Sequence, residues 1–175
     1  ISMVAKVLGA VLVVGAASMA GITAADHIKE QYQNLQELQR ICCQLKSEIR
    51  YSRSYLEEAF LHIAGTAKEP YKEWLSFLAS QMEERRDGSF KKLWETSVHT
   101  CLRGKGLERT TLQKLKDLGH QLGTADVELQ VQTLDLYLED LRLTAEELRE
   151  TMKTKVRLYR CLGIMGGVFV MILLM

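Results

Sequence analysis

The chain has 175 residues, a formal net charge of +1 and 26% charged residues. One domain accommodates this length more comfortably than two, and a net charge near zero gives no electrostatic argument for binding nucleic acid. The charges are unevenly distributed, because residues 7–25 and 161–175 contain none. The sequence therefore predicts two apolar ends around a polar middle.

The first apolar segment, residues 7–25, has the length of a membrane-spanning helix, since 19 residues rise about 28 Å. A cleaved signal peptide is the alternative, because Lys6 precedes the segment and small residues lie near its end. The segment is longer than a typical signal core, however, and the polar sequence from Asp26 continues the helical pattern. We therefore favour a retained N-terminal anchor, residues 1–25.

A single proline, at position 70, and few alternating β-branched residues predict an all-α middle domain, residues 26–160. We predict six helices: 26–53, a short helix from 54 that Gly65 ends, 70–86, 89–102, a helix from Thr110 or Thr111 to Gly119, and 126–160, which continues into the membrane segment. Short connections favour a compact six-helix bundle with Trp74 and Trp94 in its core. An elongated coiled-coil hairpin is the alternative.

Capping residues and glycines are expected to set the helix boundaries. Ser54 and Glu57 have the spacing of a capping box at the start of the second helix. The other boundaries depend on Asp87 and Gly88 after the third helix, Ser89 before the fourth, and the turn Gly104-Lys105-Gly106 after it.

The second apolar segment, residues 161–175, gives only about 22 Å of helix, which is marginal for crossing a bilayer. We predict a C-terminal membrane helix, with a half-inserted tail as the alternative. Four basic residues precede it: Lys153, Lys155, Arg157 and Arg160. The positive-inside rule then predicts a cytoplasmic middle domain and termini outside. The four cysteines lack the spacing of a disulfide framework, which agrees with a reducing compartment.

No recognisable catalytic or metal-binding pattern is present. The histidines, His27, His62, His99 and His120, are neither four residues apart nor framed by carboxylates as in a metal site. Gly104-Lys105-Gly106 lacks the longer frame and the preceding strand of a phosphate-binding loop. We therefore predict no enzyme activity, no metal, no cofactor and no small-molecule substrate.

Two sets of residues are candidates for contacts with other proteins. An acidic set is most simply a solvated helix face, and a docking surface is the alternative: Glu139, Asp140, Glu146, Glu147 and Glu150. Small residues four apart allow close packing of helices in lipid, and two such pairs lie in the apolar segments: Ala17 with Gly21, and Gly163 with Gly167.

The most distinctive segment is a predicted corner between the fifth and sixth helices. Gly119 is expected to end the fifth helix in a left-handed conformation, and Leu122 to enter the core. Gly123 permits a second turn, and Thr124 or Asp126 is expected to bind the free amides that open the sixth helix. Gln130 lies one turn further along. A purely structural corner explains all of these residues.

This corner resembles the Leu/Phe-Gly-x-x-Leu-Gly-x-x-Asp-x-x-x-Gln pattern of the stage III sporulation protein AB family. Other segments that resemble this family are the first apolar run, Ser47-Glu-Ile-Arg-Tyr51, Trp94, Leu162-Gly163 and Ile172-Leu173-Leu174. The resemblance covers nearly the whole chain. It implies a six-helix domain similar to one cytoplasmic domain of the inner-membrane platform proteins of type II secretion and type IV pilus systems.

The resemblance also implies a function in the mother-cell membrane, within the channel that links mother cell and forespore. Expected partners are the channel's ATPase, the other membrane subunits of the channel and a second copy of this chain, because pilus platforms carry two such domains. We expect no nucleic-acid partner. The alternative from another class is a membrane-tethered sensor or signalling adaptor, for which neither terminus has room for an outside ligand domain.

Overall fold

The computed structural model describes residues 2–52, 55–84, 88–124 and 126–175, without the side chain of Leu174. Within these ranges every regular element is helical: α1 Ser2–Ser47, a π-helix Glu48–Ser52, α2 Leu56–Ala64, α3 Tyr71–Glu84, α4 Phe90–Leu102, α5 Arg109–Leu122 and α6 Val127–Leu174. The predicted all-α class with six α-helices is confirmed. The π-helix was not predicted.

The chain divides by packing into two units. The terminal unit comprises Ile1–Tyr32 and Glu146–Met175, and the middle unit comprises Gln33–Ala145. The predicted membrane boundaries, after residue 25 and after residue 160, both fall inside the terminal unit and stay predictions.

Both apolar segments belong to helices that continue into the polar sequence without interruption. α1 contains residues 7–25, and α6 extends from Val127 to Leu174. By length and composition, each helix can cross a membrane, and almost none of its apolar stretch is buried within the chain. The prediction that the last helix continues into the second apolar segment is confirmed.

An aromatic cluster forms the core of the middle unit. The rings of Trp74 and Trp94 meet edge to face with centroids 5.2 Å apart, and Phe60 and Phe90 contact Trp94 at 6.0 and 5.8 Å. Each indole nitrogen also donates a hydrogen bond, and that of Trp94 goes to the carbonyl oxygen of Leu115 at 2.7 Å. Trp74 Nε1 donates to Ser97 Oγ at 3.1 Å. The predicted placement of both tryptophans in the core is confirmed.

The helix boundaries follow local signals in some places and not in others. α4 has the predicted bounds, although the side chain of its N-cap Ser89 makes no capping hydrogen bond. Gly104 and Gly106 adopt φ of 73° and 91° in the predicted turn. α5, in contrast, continues three residues beyond Gly119. The predicted signals at Ser54 and Asp87 lie outside the described residues.

Candidate functional site

The corner between α5 and α6 is held by the amide of Gln130. This side chain is buried, and its Nε2 donates to the carbonyl oxygens of Leu122 and Thr124, both at 2.6 Å. Carbonyl groups in the last turn of a helix have no partner within the helix, so Gln130 satisfies one of them from the next helix. Leu122 itself is fully buried. The sequence had placed Gln130 at the corner without a role.

Gly119 lies inside α5, and its role differs from the predicted helix end. A Cβ at this position would lie 2.2 Å from Trp94 Cδ1. One turn earlier, the carbonyl oxygen of Leu115 accepts a hydrogen bond from Trp94 Nε1 at 2.7 Å. Gly119 is therefore required because the indole of α4 packs directly on the backbone of α5. The predicted left-handed conformation is wrong, since the helix continues to Leu122.

The loop that follows closes both helix ends with short side chains. Thr124 Oγ1 donates to the carbonyl oxygen of Gln121 at 3.0 Å. Asp126 Oδ1 accepts from the amide nitrogen of Glu128 at 3.0 Å, as an N-cap residue does. Gly123 has a right-handed φ of −73°, and a Cβ there would approach Phe90 Cδ1 to 3.1 Å. These contacts tie the described residues of the corner to the ends of α5 and α6 and to α4.

A groove of about 830 Å³ opens beside this corner in the middle unit. The first turns of α6 contribute Asp126, Glu128 and Asp135, and the π-helix contributes Arg50. The Asp135 carboxylate also pairs with Lys46 of α1. The groove therefore carries more carboxylates than cations. Two of the segments that resemble the family, residues 47–51 and the corner, contribute Arg50 and Asp126 to its lining.

Three leucines on α6 are exposed and repeat every seven residues. Leu129, Leu136 and Leu143 have 41%, 68% and 51% of their surface exposed. Residues seven apart lie on nearly the same face of an α-helix, so these side chains form a leucine strip along the middle unit. Sequence reasoning missed this strip, although its heptad spacing is visible in the sequence.

Carboxylates accompany the leucine strip. Glu139 is exposed and accepts hydrogen bonds from Arg142 at 2.7 and 3.0 Å, which hold the pKa of the Glu139 carboxyl below its ordinary value. Asp140 pairs with Lys114 of α5 at 2.9 Å. Both Glu139 and Asp140 belong to the middle unit.

The other three candidate docking residues, Glu146, Glu147 and Glu150, belong to the terminal unit and are exposed. The five acidic residues therefore form two acidic groups, one in each unit. The group beside the leucine strip consists of Glu139 and Asp140.

Of the small residues predicted for helix packing, Gly21 makes a close contact within the terminal unit. A Cβ on Gly21 would lie 2.9 Å from Cγ of Tyr159. Ala17 is exposed. Gly163 and Gly167 have no atom within 4 Å of a hypothetical Cβ, whereas a Cβ on Gly166 would lie 3.7 Å from Val14 Cγ2. α1 and α6 therefore contact each other through Gly21 and Gly166.

Among the described residues, no group of three or more histidine, cysteine or acidic side chains has the arrangement of a metal site. Two histidines form surface contacts with single carboxylates: His62 with Glu48 at 2.5 Å and His120 with Glu95 at 2.7 Å. Burial raises the pKa of the thiols of Cys42 and Cys101, which disfavours the nucleophilic thiolate.

Residues 6–175 match the profile of the family described as stage III sporulation protein AB. Stage III sporulation protein AB of Bacillus subtilis (strain 168) is 26% identical over 170 residues, which cover 97% of this chain and 99% of that protein. A solved structure described as stage III sporulation protein AB (SpoIIIAB) aligns with a TM-score of 0.65 and 23% identity, over 71% of this chain and 97% of that chain. At this identity the structural likeness supports the fold alone.

Proposed function

We infer the function of this chain from its family: it belongs to the stage III sporulation protein AB family and so has a role in sporulation. We propose that it is a non-enzymatic membrane platform. In this proposal the two apolar helices anchor the protein in the mother-cell membrane, and the middle unit faces the cytoplasm. There it binds the ATPase and other membrane subunits of the sporulation channel. The positive-inside rule supports the orientation, since the basic residues before the second apolar segment favour the cytoplasm.

The observation that carries the docking proposal is the leucine strip. Burying one leucine contributes about 1.5–3 kcal/mol, so three exposed leucines on one helix face offer a substantial gain to a partner. An amphipathic helix that lies along such a strip is a common mode of recognition, with anchors spaced one or two turns apart. The strip belongs to a helix whose other face is already packed in the core.

The charge around the leucine strip favours one chemistry for the partner. Glu139 and Asp140 accompany the leucines, and Asp126, Glu128 and Asp135 line the adjacent groove. A partner helix with basic residues beside its apolar stripe complements this surface, whereas like charges across an interface are unfavourable. The identification of that partner as the channel's ATPase rests on the likeness to secretion platforms, which is an analogy at the level of fold.

A binding experiment with the complete chain tests this proposal. The protein is solubilised with both apolar helices intact, and the channel ATPase is titrated onto it while the hydrolysis rate is followed. We expect saturable binding and an altered rate. Absence of binding in several detergents and nucleotide states would remove the ATPase from the proposal.

Charge-reversal variants test separately whether each of the two acidic groups contributes to binding the ATPase. Glu139→Lys is expected to slow association about fivefold and to reduce its salt dependence, as rim charges do. Glu147→Lys/Glu150→Lys tests the group in the terminal unit, and Glu58→Lys on α2 is the control. Unchanged binding in the first two variants would show that the carboxylates take no part in docking.

A further inference from the structure

The terminal unit contains a groove of about 490 Å³ between α1 and α6. Four basic side chains line it: Lys29 of α1 and Lys153, Arg157 and Arg160 of α6. Asp26 contributes the one carboxylate among the lining residues. The groove therefore carries an excess of three positive charges.

The groove lies at the level where both helices change from polar to apolar. The charge-free segment of α1 ends at Ala25, the segment of α6 begins at Cys161, and both residues line the groove. The contact between Gly21 and Tyr159 holds the two helices together about one turn away from Ala25. The polar-to-apolar boundary is thus aligned on the two helices.

The chemistry of the groove changes along its length. Lys153, Arg157 and Arg160 follow the spacing of one helix face, and Ile164 continues the same face one turn further. Cys161 and Ile164, which follow the last of these cations, are both exposed, and 62% of the surface of Ile164 is open. A molecule that fills this groove therefore meets cations at one end and open apolar surface at the other.

The four cations have no internal partners that would neutralise them. Within the part of the chain that the structure describes, none of them forms an ion pair with a carboxylate. Repulsion between these cations is unfavourable, and it is relieved when an anion binds. The long side chains of lysine and arginine can also place their charges at headgroup level while their stems cover apolar surface.

We propose that this groove binds the phosphate headgroup of an anionic phospholipid, with an acyl chain lying along Cys161 and Ile164. Basic pockets between membrane helices bind such headgroups. A free phosphate ion would satisfy the cations but leave the apolar half of the groove open to water. The proposal rests on the membrane anchoring given under the proposed function, and it adds a specific lipid site to it.

The test uses the complete chain in detergent micelles that contain equal amounts of phosphatidylglycerol and phosphatidylcholine, followed by native mass spectrometry. We expect the wild-type protein to retain phosphatidylglycerol about a hundredfold more often, because each of the three excess positive charges contributes a factor of about five. Arg157→Gln and Arg160→Gln should each lower that retention about fivefold.

Lys155→Gln provides a matched control. Lys155 lies between Lys153 and Arg157 in sequence but does not line the groove. We expect its substitution to change lipid retention less than about twofold, because general attraction by a charged helix end is the only effect it tests. Tryptophan fluorescence of each variant reports whether the core around Trp74 and Trp94 is intact.

Three results would overturn the lipid site: equal retention of the two lipids, an equal loss in Lys155→Gln, or displacement of the lipid by millimolar inorganic phosphate. Alkaline extraction of the wild-type protein from membranes tests the anchoring separately. Protein that resists extraction but shows no lipid preference would contradict this inference and leave the platform proposal intact. Protein that is extracted would contradict both.

Discussion

The two faces of α6 in the middle unit carry similar residues and have opposite environments. On the inner face, Leu134 and Leu141 are 0% and 2% exposed, whereas on the outer face Leu136 and Leu143 are 68% and 51% exposed. In each pair the leucines are seven residues apart. The inner face is buried against the rest of the middle unit, whereas these two leucines of the outer face keep at least half of their surface exposed among the described residues. The difference indicates that the inner face maintains the fold and the outer face is available for a partner.

The largest loss of stability is expected from a substitution at Gly119, where the indole of Trp94 packs on the backbone of α5. Gly119→Ala places a methyl group 2.2 Å from Trp94 Cδ1, and overpacking of this kind destabilises a fold by about 1–3 kcal/mol. We expect the free energy of unfolding to fall by an amount near the upper end of this range, because the methyl group would meet a buried indole that packs between two helices. Denaturant unfolding of the solubilised protein, followed by tryptophan fluorescence, measures it.

Gly163→Ala is the control for this substitution, because no atom lies within 4 Å of its hypothetical Cβ. We expect no measurable loss of stability for this variant. Equal stability of the Gly119→Ala and wild-type proteins would contradict the close packing of Trp94 on α5.

A smaller effect is expected from the amide that joins α5 to α6. Gln130→Leu removes both hydrogen bonds to the carbonyl oxygens of Leu122 and Thr124. Leaving buried polar groups unpaired costs about 1–3 kcal/mol, so we expect a loss of about 2 kcal/mol in the free energy of unfolding. Gln132→Leu is the matched control, since this glutamine is exposed two residues away. Similar losses of stability in the two variants would show that the hydrogen bonds of Gln130 do not stabilise the corner.

A largely covered contact between α1 and the loop before α3 should have a smaller, pH-dependent effect on the free energy of unfolding. The Glu37 carboxylate pairs with Arg40 at 2.7 Å and accepts from the amide of Lys68 at 3.0 Å. The hydrogen bond from Arg40 is the main reason why the pKa of Glu37 is lowered. A lowered pKa in the folded state adds stability above the unfolded-state pKa, and this stability is lost as the pH falls through the folded-state value.

Glu37→Gln is therefore expected to cost about 1 kcal/mol at pH 7, as loss of one charge-assisted hydrogen bond would. The difference from wild type should shrink as the pH falls below the ordinary glutamate pKa and disappear below the lowered folded-state pKa. Unfolding curves across this pH range measure it, with the exposed Glu58→Gln as control. A difference that persists in acid would mean that the Glu37 charge is not responsible.

The helix content was predictable because its signals are local, whereas the roles of several residues depend on distant partners. α4 begins directly after Ser89 and ends before the Gly104 turn, as the sequence indicates. Gly119 has the local appearance of a helix end, and its actual role depends on Trp94, which lies 25 residues earlier in the chain. Gln130 similarly acts on Leu122 across a turn.

The leucine strip was missed for a related reason. Periodicity places Leu129, Leu136 and Leu143 on one face of α6, but periodicity alone does not distinguish a face that packs inward from one that meets a partner. The π-helix after α1 likewise has no local sequence signal comparable to a capping residue or a glycine. Only the packing of the folded chain separates these cases.

The most direct test of the central claim is the affinity of Leu136→Ser/Leu143→Ser for the channel ATPase. Exposed substitutions change stability by about 0.5 kcal/mol or less, so the variant should unfold like the wild type while binding at least tenfold more weakly, given the apolar surface that docking buries. Leu61→Ser, at a leucine of α2 that is 52% exposed, is the control and should bind normally. Wild-type affinity in the double variant would contradict the assignment of the outer face of α6 as the docking surface.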